Sequence, residues 1–240
     1  MKVLAIDTSN QAMSIAVLDD EKVIGEITTN IKRNHSERLM PAIDELMKDV
    51  QWQSSELNRI VVAKGPGSYT GLRIGVTVAK TLAWTLGVEL VGISSLKILA
   101  GNCESSPHYL VPLFDARRKN IYTGLYQWQN GELIQIEDDK HISAEQWAEY
   151  LSKKEGTFEL IGEDQSIFKD TFERYLMNRV YEAPLKDHLP KASVLGLLGL
   201  KEEPVDAHTF TPDYLKLAEA EENWRKEHPD QLEEAYVEKI

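Results

Sequence analysis

A single cysteine, Cys103, stands among 240 residues, so no disulfide framework holds this chain and a reducing, cytoplasmic setting is expected. Prolines (9) and glycines (14) are too few, and hydrophobic residues at 42% too many, for a collagen-like or disordered chain. No long apolar run is free of charge. The most apolar window, residues 74–93, contains Lys80 and Glu89, and the opening run of residues 1–6 meets Asp7 too soon for the apolar region of an export signal. Neither secretion nor membrane insertion is expected. Basic residues are also scarce, 27 against 39 acidic for a net charge of −12. The deficit is local: residues 1–100 carry 11 of each sign, and residues 101–240 carry 16 basic and 28 acidic. A protein that grips a polynucleotide alone normally shows a basic face, so solitary nucleic-acid binding is disfavoured. The six histidines include no His-x-x-x-His or His-Glu-x-x-His pair, which removes the commonest helical zinc motifs.

What is present is a pattern that occurs twice. Val3-Leu4-Ala5-Ile6 reads as a buried strand ending in Asp7, followed by a polar turn, a second strand from Met13, and a hairpin at Asp19-Asp20-Glu21-Lys22. Shifted by 108 residues, Leu110-Val111-Pro112-Leu113-Phe114 runs into Asp115, a polar turn, a strand from Ile121, and a turn at Gln129-Asn130-Gly131. Helices over residues 36–50 and 71–86 and strands over 60–63 and 90–93 complete the first copy. Helices over residues 144–153, 167–177 and 192–201, a strand over 158–161 and a short strand near Val180 complete the second. A mixed order of strands and helices appearing twice predicts two α/β domains of one topology with the ligand site between them. The expected boundaries are residues 1–103, residues 104–203, and a C-terminal segment 204–240, with an acidic helix or tail, that packs back near the junction.

Three motifs carry candidate chemistry, each with a plain structural reading beside it. Asp7-Thr8-Ser9, at a strand end, offers a carboxylate, two hydroxyls and backbone N–H groups to a magnesium-bound phosphate; it equally makes an Asx turn that closes the strand. Asp115 repeats the placement. Gly65-Pro66-Gly67-Ser68-Tyr69-Thr70-Gly71 joins a strand to a helix N-terminus, an anion site in principle, or else a turn that lets helix and sheet approach. It lacks the Gly-Lys-Ser/Thr of a Walker loop and the spacing of a dinucleotide fingerprint. His35 reads as a capping or surface residue at a helix start, with Asn34 and Glu37 as a capping box. The helix over 71–86 has apolar residues on nearly all sides, with only Arg73 and Lys80 charged, so something beyond one sheet must cover it.

The chain resembles the bacterial TsaB family, also called YeaZ. The likeness rests on Ala5-Ile6-Asp7-Thr8-Ser9, the residues from His35 to Pro41, the run from Lys64 to Gly75, Ala79-Lys80, Ser94-Ser95-Leu96, Asp115-Ala116-Arg117-Arg118 and Pro212-Asp213-Tyr214-Leu215-Lys216. Lys216 stands where an Arg is expected, keeping the charge and losing bidentate pairing. The resemblance implies the two-domain fold of the actin, Hsp70 and sugar-kinase (ASKHA) group. It implies a non-catalytic subunit in the synthesis of threonylcarbamoyladenosine at position 37 of tRNAs reading codons that begin with A. The partners it implies are a TsaD-type transferase and a TsaE-type ATPase, with a homodimer when the partner is absent and tRNA contacted only through the complex. Where the related transferase carries a metal-binding histidine pair, this chain has Ser95 and Leu99, so no metal or cofactor of its own is expected; ATP or ADP with magnesium belongs at the partner interface.

The site residues expected from these readings are Asp7, Thr8, Ser9, Gly65, Gly67, Ser68, Gly71 and Asp115 for a weak phosphate or nucleotide contact. The expected protein interface comprises Leu39, Ile43, Met47, Leu72, Arg73, Val76, Ala79, Lys80, Leu82 and Ala83. Two other classes compete: a compact ASKHA-type kinase using ATP around Asp7 and Asp115, and a metalloprotease, which the missing histidine pair disfavours.

Overall fold

The computed structural model describes residues 1–32 and 34–216. The first copy comprises β1 (Lys2–Asp7), β2 (Met13–Asp19), β3 (Lys22–Thr29), α1 (His35–Asp49), β4 (Arg59–Gly65), α2 (Tyr69–Leu86) and β5 (Glu89–Ser94). A short helix, α3 (Ser95–Gly101), leads to β6 (Tyr109–Asp115), β7 (Asn120–Gln129), β8 (Glu132–Ser143), α4 (Ala144–Ser152), β9 (Phe158–Ile161), α5 (Gln165–Leu176), β10 (Val180–Glu182) and α6 (Ala192–Gly199). The strand orders are β3-β2-β1-β4-β5 and β8-β7-β6-β9-β10. In each sheet the first three strands are antiparallel and the last two join in parallel. The duplicated ASKHA-type order expected from the sequence is therefore present strand for strand.

Helices cover both faces of each sheet, and the inner ones are exchanged. Leu4 and Ile6 pack with α1 and α2, whereas Val3 and Ala5 pack with Ala192 and Leu195 of α6, which follows the second sheet in sequence. That double covering is why β1 reads as an unbroken apolar run: both faces are core. Reciprocally, Leu96 and Leu99 of α3 pack on Leu110, Tyr126 and Ile161 of the second sheet. The helix α6 lies close because Gly196 and Gly199 face it onto Leu18 and Val61, where added Cβ atoms would come to 2.3 and 2.4 Å. Its first N–H groups are received by Ser14 and Glu26 of the first sheet, at 2.9 and 3.0 Å. The buried Arg59 guanidinium receives its C-terminal end, donating to the Gly199 carbonyl at 2.7 Å.

Two local expectations are corrected. The Asn34–Glu37 capping box does not form: Ser36 Oγ occupies Asn34 Oδ1 at 3.0 Å, and the Asn34 side chain makes no cap bond. The helix α2 is not apolar all round. Leu72, Val76, Ala79 and Ala83 are buried, but Arg73, Thr77, Thr81 and Thr85 form an exposed outer stripe. Threonine accounts for the difference, since its methyl group hides a polar face in a pattern read by charge alone.

The joint between the sheets holds a half-buried carboxylate. Ser94, which accepts from Leu96 N and Lys97 N to start α3, donates through its hydroxyl to Asp139 of β8, and Tyr126 donates to the same carboxylate at 2.5 Å. Burial pushes the Asp139 carboxyl above the usual carboxylate range, against these two donors and the nearby Lys64. A raised folded-state value favours the protonated form in the fold. Its contribution to stability is complete below the unfolded pKa, about 3.9, and is lost as pH rises through the folded one. Asp139→Asn should therefore gain stability relative to the parent chain between pH 4 and 7, read as the difference in urea midpoints. A difference that shrinks or reverses as pH rises would make Asp139 a stabilising anion.

Candidate functional site

Both central strands end in an aspartate at the carboxyl edge of their sheets, beside a parallel neighbour, the place where open α/β sheets collect ligands. A cleft of about 600 Å³ lies there. Its walls come from Asn10 and Gln11 after β1, Pro66 to Ser68 before α2 with Tyr69 and Leu72 in its first turn, Phe114 and Asp115 at the end of β6 with Ala116 and Arg117 after it, Tyr122 of β7, Asp164 before α5, and Asp213 to Lys216.

The two aspartates make the same local bond. Asp7 Oδ1 accepts from Ser9 N at 2.8 Å, and Asp115 Oδ1 accepts from Arg117 N at 2.8 Å. Both are Asx turns closing a strand, so the sequence echo is a conformational echo. Their surroundings differ. Asp7, Thr8 and Ser9 are buried, and their groups are used within the chain: Ser9 Oγ donates to Asp7 Oδ1 at 2.7 Å, Thr8 Oγ1 donates to the Gly71 carbonyl at 2.7 Å, and Ser9 O accepts from Ser68 N at 2.7 Å. Burial pushes the Asp7 carboxyl up, opposed by the two Ser9 bonds and His35. Among the described residues its Oδ2 has no hydrogen-bond partner. His35 itself bonds the Asn10 carbonyl through Nε2 at 2.8 Å.

The glycine loop closes directly onto this turn. A Cβ at Gly67 would stand 2.2 Å from Ser9 O, at Gly71 2.1 Å from Thr8 O, and at Gly75 2.3 Å from Thr8 Oγ1. Ser68 caps α2 by accepting from Gly71 N. Of the residues expected to hold phosphate, Gly67, Ser68 and Asp115 line the cleft, while Asp7, Thr8, Ser9, Gly65 and Gly71 do not. The glycines here serve the close approach of loop, helix and turn. Gly65, at φ 117°, instead admits the Asp213 carbonyl, 2.5 Å from where its Cβ would be.

The second turn is open and basic. Arg117, Arg118 and Lys119 follow one another in the left-handed region, at φ 71°, 54° and 63°, each at a cost of about 1–2 kcal/mol for a residue other than glycine. All three are exposed, and Arg117 pairs with Asp115 at 3.2 Å. Asp164 closes the base of the turn by accepting from Asp115 N at 2.8 Å.

A further wall comes from the C-terminal segment. Residues 204–216 run as a strap from the edge of β5, where Val205 N donates to the Leu90 carbonyl, to the cleft. Phe210 lies over Gly92, whose Cβ would fall 2.4 Å from its ring, and Lys80 Nζ donates to the Phe210 carbonyl at 2.6 Å. Asp213 N donates to the Lys64 carbonyl, its carboxylate pairs with Lys64 Nζ at 2.9 Å, and Tyr214 packs on Tyr69 at 5.0 Å. The acidic stretch 217–240 lies outside the described residues.

The expected interface divides by burial. Leu39, Ile43, Met47, Val76, Ala79 and Ala83 are core residues between α1, α2 and the sheet, and buried Leu72 lines the cleft, so these side chains face the chain's own interior. Leu82 is half-buried against that core, Lys80 is engaged with the strap, and Arg73 is exposed. Trp84, 69% exposed and 5.5 Å from His208, is the large apolar group that this face displays. Ser95 and Leu99 are fully buried.

Comparison with known proteins places this geometry. The family model described as TsaD, tRNA N6-adenosine threonylcarbamoyltransferase, matches residues 22–224. The tRNA threonylcarbamoyladenosine biosynthesis protein TsaB of Bacillus subtilis is 46% identical over 224 residues, covering 93% of this chain and 98% of that protein. Escherichia coli TsaB is 30% identical over 129 residues, 53% of this chain and 55% of its own length. The solved structure of YeaZ from Pseudomonas aeruginosa superposes with a TM-score of 0.75 at 27% identity, covering 89% of this chain and 99% of that one. With end-to-end likeness to one TsaB protein and the same backbone as a YeaZ structure, the chain belongs to the TsaB family.

Proposed function

We propose that this chain is the non-catalytic subunit that binds and supports a TsaD-type transferase, which installs threonylcarbamoyl on N6 of adenosine 37 in tRNAs reading codons that begin with A. The observation that carries the non-catalytic part is the Ser68 N to Ser9 O bond. It joins the glycine loop to the first strand-end turn and uses the Ser68 N–H, a donor that a phosphoryl-transfer enzyme would turn toward phosphate. The compact kinase loses its cradle by the same bond. Buried Ser95 and Leu99, at the positions of the transferase's histidine pair, agree with a subunit that leaves the chemistry to its relative.

Partner binding falls to the outer faces of α1 and α2. Thr77, Thr81 and Trp84 of α2 line one shallow pocket with Ala207 and His208, and Arg73 of α2 and Met40 of α1 are also exposed; a large aromatic group among few charges is the composition of interface centres. The same face serves a second copy of the chain when the transferase is absent. The TsaE-type ATPase joins that assembly, and ATP or ADP with magnesium binds at the shared surface. Among the described residues no helix is long and apolar enough to cross a membrane.

Reconstitution tests this reading. The purified chain alone should transfer no threonylcarbamoyl to tRNA, and transfer should appear when TsaD-type and TsaE-type proteins are added and fall at least tenfold when this chain is omitted. Transfer by the isolated chain would overturn it.

A further inference from the structure

The groups in the cleft that remain available are not those of the Asp7 turn but those at its mouth, and they form a different kind of site. Tyr69 and Tyr214 line the cleft with rings 48% and 42% exposed, although they touch each other. Arg73 stands 5.4 Å from the Tyr69 ring centre and donates to its hydroxyl at 3.1 Å, which fixes that ring. Arg117 and Lys216 line the same cleft, and Lys119 follows on the same exposed turn. Of the lining carboxylates, Asp213 pairs with Lys64, Asp164 accepts from Asp115 N, and Asp115 pairs with Nη1 of Arg117, whose side chain stays 84% exposed and keeps its other N–H groups toward solvent.

We propose that the mouth of this cleft binds unstacked nucleotides of single-stranded RNA, with Tyr214 and Tyr69 as the platform for a base and Arg117 and Lys216 facing the phosphates. Exposed aromatic rings beside basic groups are the general means of holding single strands without reading their sequence, because every base has a π-face. Three consecutive left-handed residues agree with such a use: the strained turn keeps Arg117, Arg118 and Lys119 together on the surface of a half that is otherwise acidic. The charge of the whole chain opposes RNA, so the contact is weak alone and supplements a stronger one made elsewhere in the complex. This deepens the function proposed above and rests on it only for the identity of the RNA.

The isolated full chain is titrated against a fluorescein-labelled single-stranded RNA decamer at low salt, followed by anisotropy. Binding should weaken at least fivefold in Tyr214→Ala and in the Arg117→Ala/Lys216→Ala double variant, and survive in Tyr214→Phe. Absence of binding by the parent chain up to about 100 μM, the weak limit of non-specific affinities, would overturn the proposal, as would equal binding by the alanine variants. Full competition by free ATP at concentrations that leave tRNA transfer unaffected would assign the site to a mononucleotide and overturn it too. The same variants should still copurify with the TsaD-type protein, because no altered residue lies on the outer stripe of α2. Reconstituted transfer by Tyr214→Ala should show a raised KM for tRNA and an unchanged kcat. Loss of copurification by the parent chain would strike the functional reading and leave the anisotropy result standing.

Discussion

Thr77→Glu should abolish binding to the TsaD-type transferase and leave the chain folded, whereas Val76→Glu, one residue earlier, should unfold it. Thr77 is exposed on the outer stripe of α2, and Val76 is 3% exposed in the core shared with α1. An uncompensated charge at a desolvated contact costs about 3–5 kcal/mol, so the Thr77 variant should lose affinity by about 100-fold or more. The same charge at Val76 adds the loss of apolar packing and consumes much of a domain's stability of about 5–15 kcal/mol. Circular dichroism and size-exclusion chromatography with the partner separate the two effects. Thr81→Glu, one turn further along the stripe, should repeat the Thr77 result, and self-association should fail in parallel with the heterodimer. Full-strength partner binding by both threonine variants would place the interface elsewhere.

The contrast between Val76 and Thr77 also shows how far the sequence could be read. The duplication was legible because β1 and β6 are covered on both faces and each ends at an aspartate, so apolar runs and turns recur at a fixed offset. The outward side of α2 was not legible, because threonine and valine differ little in a pattern that asks only where charges fall. The helix α3 escaped notice for another reason. It has seven residues, six of them, its first serine included, buried between two sheets, and a short helix packed on opposite sides shows no amphipathic period. The strap needs tertiary knowledge as well: Phe210, Asp213 and Tyr214 are ordinary in a polar stretch, and only Gly92, Lys64 and Tyr69, far away in sequence, give them their places. At the site, the motif around Asp7 and the glycine loop stood out in the sequence, but whether its donors face a ligand or one another depends on distances of a few ångströms.

Gly71→Ala should destabilise the protein by about 2–4 kcal/mol, although helix propensity alone favours alanine by about 1 kcal/mol at a position inside α2. The opposing contact decides the sign. An added Cβ would stand 2.1 Å from the Thr8 carbonyl oxygen, and that atom belongs to a buried backbone turn held by the Ser9–Asp7 bonds and by Thr8 Oγ1 on the Gly71 carbonyl. Relief requires either the turn or the helix N-terminus to move, which breaks the Ser68 N to Ser9 O bond as well. Gly75→Ala meets the Thr8 hydroxyl, a side-chain atom, at 2.3 Å, and should cost less, because that hydroxyl can rotate at the expense of one hydrogen bond, about 1 kcal/mol. Gly87→Ala is the control: its Cβ meets nothing within 4 Å, and only the left-handed φ of 66° opposes it, again at about 1 kcal/mol. Urea midpoints should therefore fall in the order Gly87→Ala and Gly75→Ala mildly, Gly71→Ala severely. A Gly71→Ala protein as stable as its parent would mean that loop and turn separate freely, and the closed arrangement that supports the proposed non-catalytic role would lose its physical basis.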